Sequence, residues 1–265
     1  MGDGERWHDG TGYESYVGRW SRRVGERFLS WLEIHFGADW LDVGCGTGVL
    51  TRSICELYDP RTVIGVDPSK RFLVAARTAT RDSRVTFVEG EGEHLPVDDH
   101  SVDVVVSGLV LNFIPDLDAG LREMRRVSRA EAVIAGYVWD YGGEMQLMRR
   151  FWDAAIALDP SAADLDEGVR FKIARPEPLR AAFEGAGLAD VEVLGIEIPT
   201  VFRDFEDYWN PFLSGVAPAP AYAMSLDPDD RERLRSVLDH TLPRESDGTI
   251  DLVARAWAVR GTVPS

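Results

Sequence analysis

The stretch Leu41-Asp42-Val43-Gly44-Cys45-Gly46-Thr47-Gly48 decides how this chain is read. An apolar strand runs into a glycine-dense turn, and the turn feeds a helix with Val49, Leu50, Ile54 and Leu57 at its apolar positions. Glycine takes positive φ without steric cost and lets a ligand come close to the backbone. A turn at the carboxyl end of a first strand is where α/β sheets place ligands. Taken alone, the run fits an ordinary tight strand-to-helix turn equally well, so the flanking segments carry the decision.

Downstream, Thr62 to Val66 reads as a second strand ended by Asp67 and Pro68. A carboxylate about twenty residues after a glycine loop suits two vicinal ribose hydroxyls. Arg84 to Val88 reads as a third strand leading into Glu89-Gly90-Glu91-Gly92-Glu93-His94-Leu95-Pro96, Val102 to Ser107 as a fourth and Ala132 to Val138 as a fifth. Ser69 is placed to cap a helix through Phe72, Leu73, Ala76 and Ala79, and Asp116 one through Leu117, Leu121 and Met124. Strands alternating with amphipathic helices define an α/β fold on a mostly parallel sheet.

Ahead of this unit, Phe28, Leu32 and Phe36 share the i, i+4 spacing of a helix starting near Ser21. Beyond it, Gly143 to Leu158 reads as a helix, Ser161 to Gly168 as a polar turn, and Pro176 or Pro178 as the start of a helix ending near Gly185 or Gly187. Val191 to Ile198 and Leu252 to Val259 complete seven strands, with a charged helix from Pro228 to His240 between them. Phe202, Phe205, Tyr208, Trp209 and Phe212 form a dense aromatic group, better read as core than as a pocket, at a position suited to a substrate cap. The expected organisation is one domain: an N-terminal helical segment (1–37), a binding core (38–139), a helical insertion (140–175), and the rest of the sheet (176–265) with an aromatic-rich insertion (199–249).

Bulk properties exclude several classes. At 265 residues with 45% apolar and 28% charged side chains, the chain sits near globular averages. Its net charge of −16 repels phosphate backbones, which disfavours nucleic-acid partners. Cys45 and Cys55 have no histidines at metal-ligand spacing, so neither zinc nor a disulfide framework is implied. No apolar run reaches the roughly 20 residues of a bilayer span and the first ten residues lack a signal-peptide core, which makes the cytoplasm the expected location.

The glycine loop, the second-strand acid, the Gly-Glu-Gly-Glu-His-Leu-Pro run at 90–96 and the fourth strand occur in the order found in class I S-adenosylmethionine-dependent methyltransferases. The chain resembles in particular the bacterial type-11 methyltransferase domains grouped with ubiquinone and menaquinone methyltransferases. The resemblance covers 38–138, and Tyr13 to Ser21 also looks like that set. It implies a Rossmann-like, doubly wound sheet of seven strands, with helical insertions forming a substrate cap, and S-adenosylmethionine as cofactor.

By this resemblance Gly44, Cys45 and Gly46 line the methionine part, with Gly48 completing the loop, and Asp42 neighbours the amino group. Asp67, with Pro68 beside it, holds the ribose. Gly92 offers its N–H to the adenine between Glu91 and Glu93, while Ser107 and Leu109 border the sulfonium. Tyr16, Arg19 and Trp20 come from an element that folds over the cofactor in similar enzymes, where Arg19 is placed to pair with the cofactor carboxylate; helix packing is an equal reading for all three. Where similar enzymes often carry a histidine after the fourth strand, this chain has Asn112. With Asp140, after the fifth strand, it forms the candidate catalytic set, although a solvated turn is the plainer reading of Asp140.

The chain lacks the Asn-Pro-Pro-aromatic sequence of enzymes that methylate amino groups of DNA or protein glutamine, which favours a small organic acceptor. Phe151, Trp152, Phe202, Tyr208, Trp209 and Phe212 suit an apolar or aromatic one. Two rivals remain at this level: a non-catalytic protein that binds S-adenosylmethionine or S-adenosylhomocysteine for regulation, and an NAD(P)-dependent oxidoreductase. The second requires a glycine or alanine three positions beyond Gly46, where this chain has Val49, with its extra glycine one place early at Gly48.

Overall fold

A computed structural model describes residues 17–265. Tyr16 lies outside the described residues. In chain order the elements are α1 (Arg19–Leu32), β1 (Asp39–Val43), α2 (Val49–Tyr58), β2 (Thr62–Asp67), α3 (Lys70–Ala79), β3 (Val85–Glu89), β4 (Val102–Gly108), α4 (Leu117–Val127) and β5 (Ser128–Trp139). There follow α5 (Gln146–Leu158), α6 (Glu167–Arg170), α7 (Pro176–Gly185), β6 (Ala189–Phe202), α8 (Phe205–Trp209), α9 (Pro218–Ser225), α10 (Pro228–Thr241) and β7 (Ile250–Thr262).

The strands form one seven-stranded sheet in the order β3-β2-β1-β4-β5-β7-β6. β1 pairs in parallel with β2 and β4, β2 with β3, and β4 with β5. β7 runs against β5: Val263 bonds Glu131 and Ala132 at the start of β5, while Arg255 O accepts from Asp140 N just past its end. The sheet is therefore mostly parallel, as the alternation of strands and helices requires. Every residue of β1 is buried, as expected of a strand covered on both faces. The winding direction reverses between β1 and β4, so the carboxyl ends of these two strands flank the crevice where doubly wound sheets bind ligands.

Local chemistry explains most boundaries. Ser69 Oγ accepts from Phe72 N at 3.3 Å and Asp116 Oδ1 from Ala119 N at 2.9 Å, so both predicted caps are made. Pro176 opens α7 and Gly185 closes it. Three readings change. α1 ends at Leu32, because Glu33 turns left-handed at φ 54°, and Phe36 is left 77% exposed instead of packing. The helix read from Gly143 begins at Gln146, because the N–H groups of Gly143, Glu144 and Met145 are all taken by Asp140. The polar stretch after it is also more ordered than a turn: Asp159 and Asp166 cap a 3-10 helix (Pro160–Leu165) and α6.

Contacts divide the chain into two compact units. A sheet unit comprises Arg22–Val138, Ile173–Ile196 and Ala256–Ser265. A helical unit comprises the described residues 17–21 with Trp139–Lys172 and Glu197–Arg255. The helical unit is held by its aromatic residues: Phe151 stacks on Phe212 with centroids 4.4 Å apart, and Tyr208 packs against Phe212 at 5.4 Å. Phe151, Trp152, Phe202, Tyr208, Trp209 and Phe212 are all buried. These rings chiefly fill the space between one another, in line with the reading of the aromatic group as core; contacts of this kind add about 0.5–1.5 kcal/mol per pair beyond area burial.

Candidate functional site

The glycine loop sits at the carboxyl end of β1 in the sheet unit. Gly44 and Cys45 both donate to Val66 O, at 2.8 and 3.0 Å, which ties the turn to the end of β2. Gly44, Gly46 and Gly48 have φ of 75°, 53° and 77°, in the left-handed region that suits glycine. At Gly44 the restriction is double, since a Cβ there would lie 2.5 Å from Val110 Cγ1. At Gly46 nothing lies within 4 Å of such a Cβ, so this is the open side of the loop. The Cys45 side chain is packed with Leu73, Ala76 and Phe87, so this residue offers the loop's open side only its backbone.

Two carboxylates stand under the loop. Asp67 ends β2, with Oδ2 accepting from Gly46 N at 2.9 Å and Oδ1 from Ser69 N at 2.8 Å. Both oxygens keep a second lone pair, and burial raises the Asp67 pKa above the usual carboxylate range despite these two N–H groups. Asp42, in β1, is 1% exposed, and its Oδ2 accepts from Thr51 Oγ1 at 2.6 Å. Its Oδ1 is buried without a partner among the described residues. Burial pushes its pKa up to about 7, the Thr51 hydroxyl opposes the rise and the Asp67 charge adds to it.

The rims beyond β3 and β4 complete the arrangement. Glu91 pairs with His94 in an isolated bridge, Ile114 packs over Gly92, and Glu93 Oε1 accepts from Asp116 N at 3.2 Å, which links this rim to the start of α4. Pro68 follows Asp67 directly. After β4, Leu109 adopts φ 62° with its N–H on Tyr137 O at 2.8 Å. A leucine held there stores strain of the kind found at binding sites. Ser107 is fully buried, and its hydroxyl and both polar atoms of the buried Asn112 amide have no hydrogen-bond partner among the described residues.

Asp42 Oδ1, Ser107 Oγ and the Asn112 amide thus bring unspent hydrogen-bonding capacity to the ends of β1 and β4. Leaving such groups unmade costs about 1–3 kcal/mol each, and native proteins carry few of them. Thr51, Val110 and the strain at Leu109 escaped the sequence reading. Thr51 lies in the first turn of α2 with no motif to mark it, and neither the approach of Val110 to Gly44 nor a backbone angle leaves a trace in residue order.

The remaining candidates lie in the helical unit. Arg19 Nη1 donates to Asp207 Oδ1 at 3.0 Å, and Trp20 meets Phe202 edge-on at 5.7 Å. Asp140 is 5% exposed, and its Oδ2 accepts from Glu144 N at 2.9 Å and from Arg255 Nε and Nη2 at 2.9 and 2.6 Å. That oxygen has nothing left for a substrate proton. Asp140 therefore organises the turn after β5, which corrects its reading as a solvated turn and weighs against its reading as a base. Among the described residues no group of potential metal ligands is found, and no helix is long and apolar enough to cross a membrane.

Comparison with known proteins agrees with this geometry. Residues 41–135 match a family model described as a methyltransferase domain. The demethylmenaquinone methyltransferase of Roseiflexus sp. is 30% identical over 166 residues, 57% of this chain and 68% of that protein. The malonyl-[acyl-carrier protein] O-methyltransferase of Pectobacterium atrosepticum is 36% identical over 114 residues, which span 43% of this chain but only 44% of that relative's length. In fold, the chain is similar to Haemonchus contortus phosphoethanolamine N-methyltransferase 2 in complex with S-adenosyl-L-methionine, with a TM-score of 0.61 at 16% identity over 96% of this chain and 57% of that one. This chain belongs to the class I S-adenosylmethionine-dependent methyltransferases, enzymes whose cofactor is S-adenosylmethionine.

Proposed function

We propose that the chain holds S-adenosylmethionine in the cradle of Asp42–Gly48, Asp67, Glu91–Glu93 and Ser107–Leu109 and transfers its methyl group to a small organic acceptor. The observation that carries this reading is the set of buried, unspent polar atoms on Asp42, Ser107 and Asn112 at the point where the sheet reverses its winding. A nucleoside with a free amino acid tail has the donors and acceptors to satisfy them.

When bound, the cofactor supplies an electrophilic methyl group on a sulfonium. The chain's part is to bind, orient and exclude water. The Gly46 and Ser69 N–H groups hold the Asp67 carboxylate, whose remaining lone pairs would accept from vicinal ribose hydroxyls. Asp42, with its pKa near 7, would ionise beside the cofactor's ammonium and release its proton to solvent. The Gly92 N–H and Glu91 would hold the adenine, and Ser107 and Leu109 would border the sulfonium. Asn112, with a donor and an acceptor both unspent, orients an acceptor group; positioning of this kind supplies several kcal/mol of the barrier without a dedicated base. A small acceptor fits the net charge of −16, which opposes polyanionic substrates.

Calorimetric titration with S-adenosylmethionine and S-adenosylhomocysteine, followed by transfer of labelled methyl into a metabolite extract, tests the reading. Binding of both with label in a small product is the expected result. No binding refutes the cradle, while binding without transfer refutes the catalytic half.

A further inference from the structure

α2 opens without a cap of its own. Gly48 stands at its N-cap position and has no side chain to offer, whereas α3 and α4 are capped by Ser69 and Asp116. Asp42, from the preceding strand, meets that first turn instead, and its Oδ2 accepts from Thr51 Oγ1 at 2.6 Å. Thr51 is 0% and Asp42 1% exposed, so water does not compete for this bond.

The direction of the Thr51 hydroxyl is a second observation. A hydroxyl on a helix commonly returns to the carbonyl of the preceding turn, and Ser30, Ser53 and Thr78 do so here, donating to Glu26 O, Val49 O and Val74 O. Thr51 leaves its helix and donates to the strand. A carboxylate offers two oxygens that rotation exchanges, and one fixed donor decides which of them is left over. The oxygen left over is Oδ1, which has no partner among the described residues. The register partners of Asp42 on β2 and β4 are Gly65 and Val106, neither of them charged. The groups that bear on its charge are Thr51, whose hydroxyl and N–H favour it, Asp67, which opposes it, and the Cys45 thiol, which burial keeps neutral.

We propose that Thr51 is a positioning residue for cofactor binding, its hydroxyl claiming Oδ2 of Asp42 so that Oδ1 alone meets the cofactor's ammonium. A hydrogen bond to the charged form favours that form, so Thr51 also sets the lower pH limit of cofactor affinity. The inference rests on the cradle reading and adds to it the residue that orients one of its carboxylates.

The test follows S-adenosylhomocysteine affinity of the full chain by calorimetry from pH 6 to 8.5. Wild-type affinity is expected to fall below about pH 7. Thr51→Val keeps the shape and loses the donor; it is expected to weaken binding about ten- to hundredfold at neutral pH and to move that fall upward by about one to two pH units, the size typical of a hydrogen bond to a charged group. The deficit is expected to narrow towards the alkaline end, and Thr51→Ser, which keeps the hydroxyl, to restore the wild-type profile. In an Asp42→Asn chain, Thr51→Val is expected to change affinity by less than about threefold, because its route to the cofactor is already removed. Without ligand, the gap in melting temperature between Thr51→Val and the wild type is expected to widen as pH rises through about 7, since the variant holds the Asp42 proton to higher pH. If Thr51→Val does not fold, Thr51→Cys, a weaker donor of similar size, carries the comparison with a smaller shift. A Thr51→Val profile parallel to that of the wild type, a loss that Thr51→Ser does not restore, or an equal loss in the Asp42→Asn chain overturns the proposal. Wild-type affinity that is constant over this pH range removes Asp42 from the ammonium, and Thr51 with it. Failure of the wild type to bind S-adenosylhomocysteine at all refutes the cradle itself, and the proposal with it.

Discussion

Replacing Asp42 by Asn tests the electrostatics of the cradle most directly. Asp42 is 1% exposed, spends one oxygen on Thr51 and leaves the other unmatched. Its pKa is raised from 3.8 to about 7, mainly by burial. The free protein therefore binds this proton more tightly than the unfolded chain does. Stability from this group is complete below about pH 4, declines as pH rises through about 7, and is gone above it. At 1.36 kcal/mol per unit, the loss reaches about 4 kcal/mol at pH 8 as an upper bound. Asn has the same shape, still accepts from Thr51, and never ionises. Without ligand, Asp42→Asn should match the wild type near pH 4 and exceed it at pH 8, and each kcal/mol moves the melting temperature of a chain this size by roughly 2–4 °C. Glu167, also buried with its pKa raised to about 7, titrates in both proteins and cancels in the difference. Scanning calorimetry from pH 4 to 8.5 reads that difference. A gap independent of pH, or a variant less stable than wild type at pH 8, refutes the reasoning. With S-adenosylhomocysteine the order reverses: the variant should bind more weakly, and wild-type affinity should fall below pH 7, where the carboxyl is protonated and no longer pairs with an ammonium.

Other outcomes follow from the same geometry. Gly44→Ala places a Cβ 2.5 Å from Val110 at φ 75° and should cost about 2–4 kcal/mol in a denaturant melt, with Val110→Ala in the same chain recovering the steric part but not the backbone part. Asp67→Ala should weaken S-adenosylhomocysteine by at least about thirtyfold, since charge-assisted hydrogen bonds to ligand hydroxyls are worth about 1.5–3 kcal/mol each; unchanged affinity removes Asp67 from the ribose site. At the amino end of β1, Arg61 beside Asp39 holds its carboxyl down at about 2, with Thr62 and Arg129 assisting. The stability it contributes is present above about pH 4 and lost as pH falls towards 2, so Asp39→Asn should flatten the wild-type decline over that interval in an acid titration followed by circular dichroism.

Residue order alone determined the strands and helices of the sheet unit and the position of the ligand loop. Val104 to Val106 form an unbroken apolar run because β4 is covered on both faces, Ser69 and Asp116 cap because their side chains reach N–H groups three residues on, and Gly44-Cys45-Gly46 turns because glycine pays nothing for positive φ. These are short-range or periodic constraints, and a linear chain displays them. Which polar atoms end up unmatched depended on tertiary packing: the free oxygen of Asp42, the unsatisfied Asn112 amide, the pairing of Arg19 with Asp207 and the capture of Asp140 by Arg255 are set by neighbours up to 188 positions away. The aromatic residues at 202–212 look alike in sequence whether they line a cavity or fill one another's space, and only their packing made them a core. Burial and partnership belong to the folded surroundings of a residue, so the chemistry of the site became visible only once the sheet had gathered its strand ends.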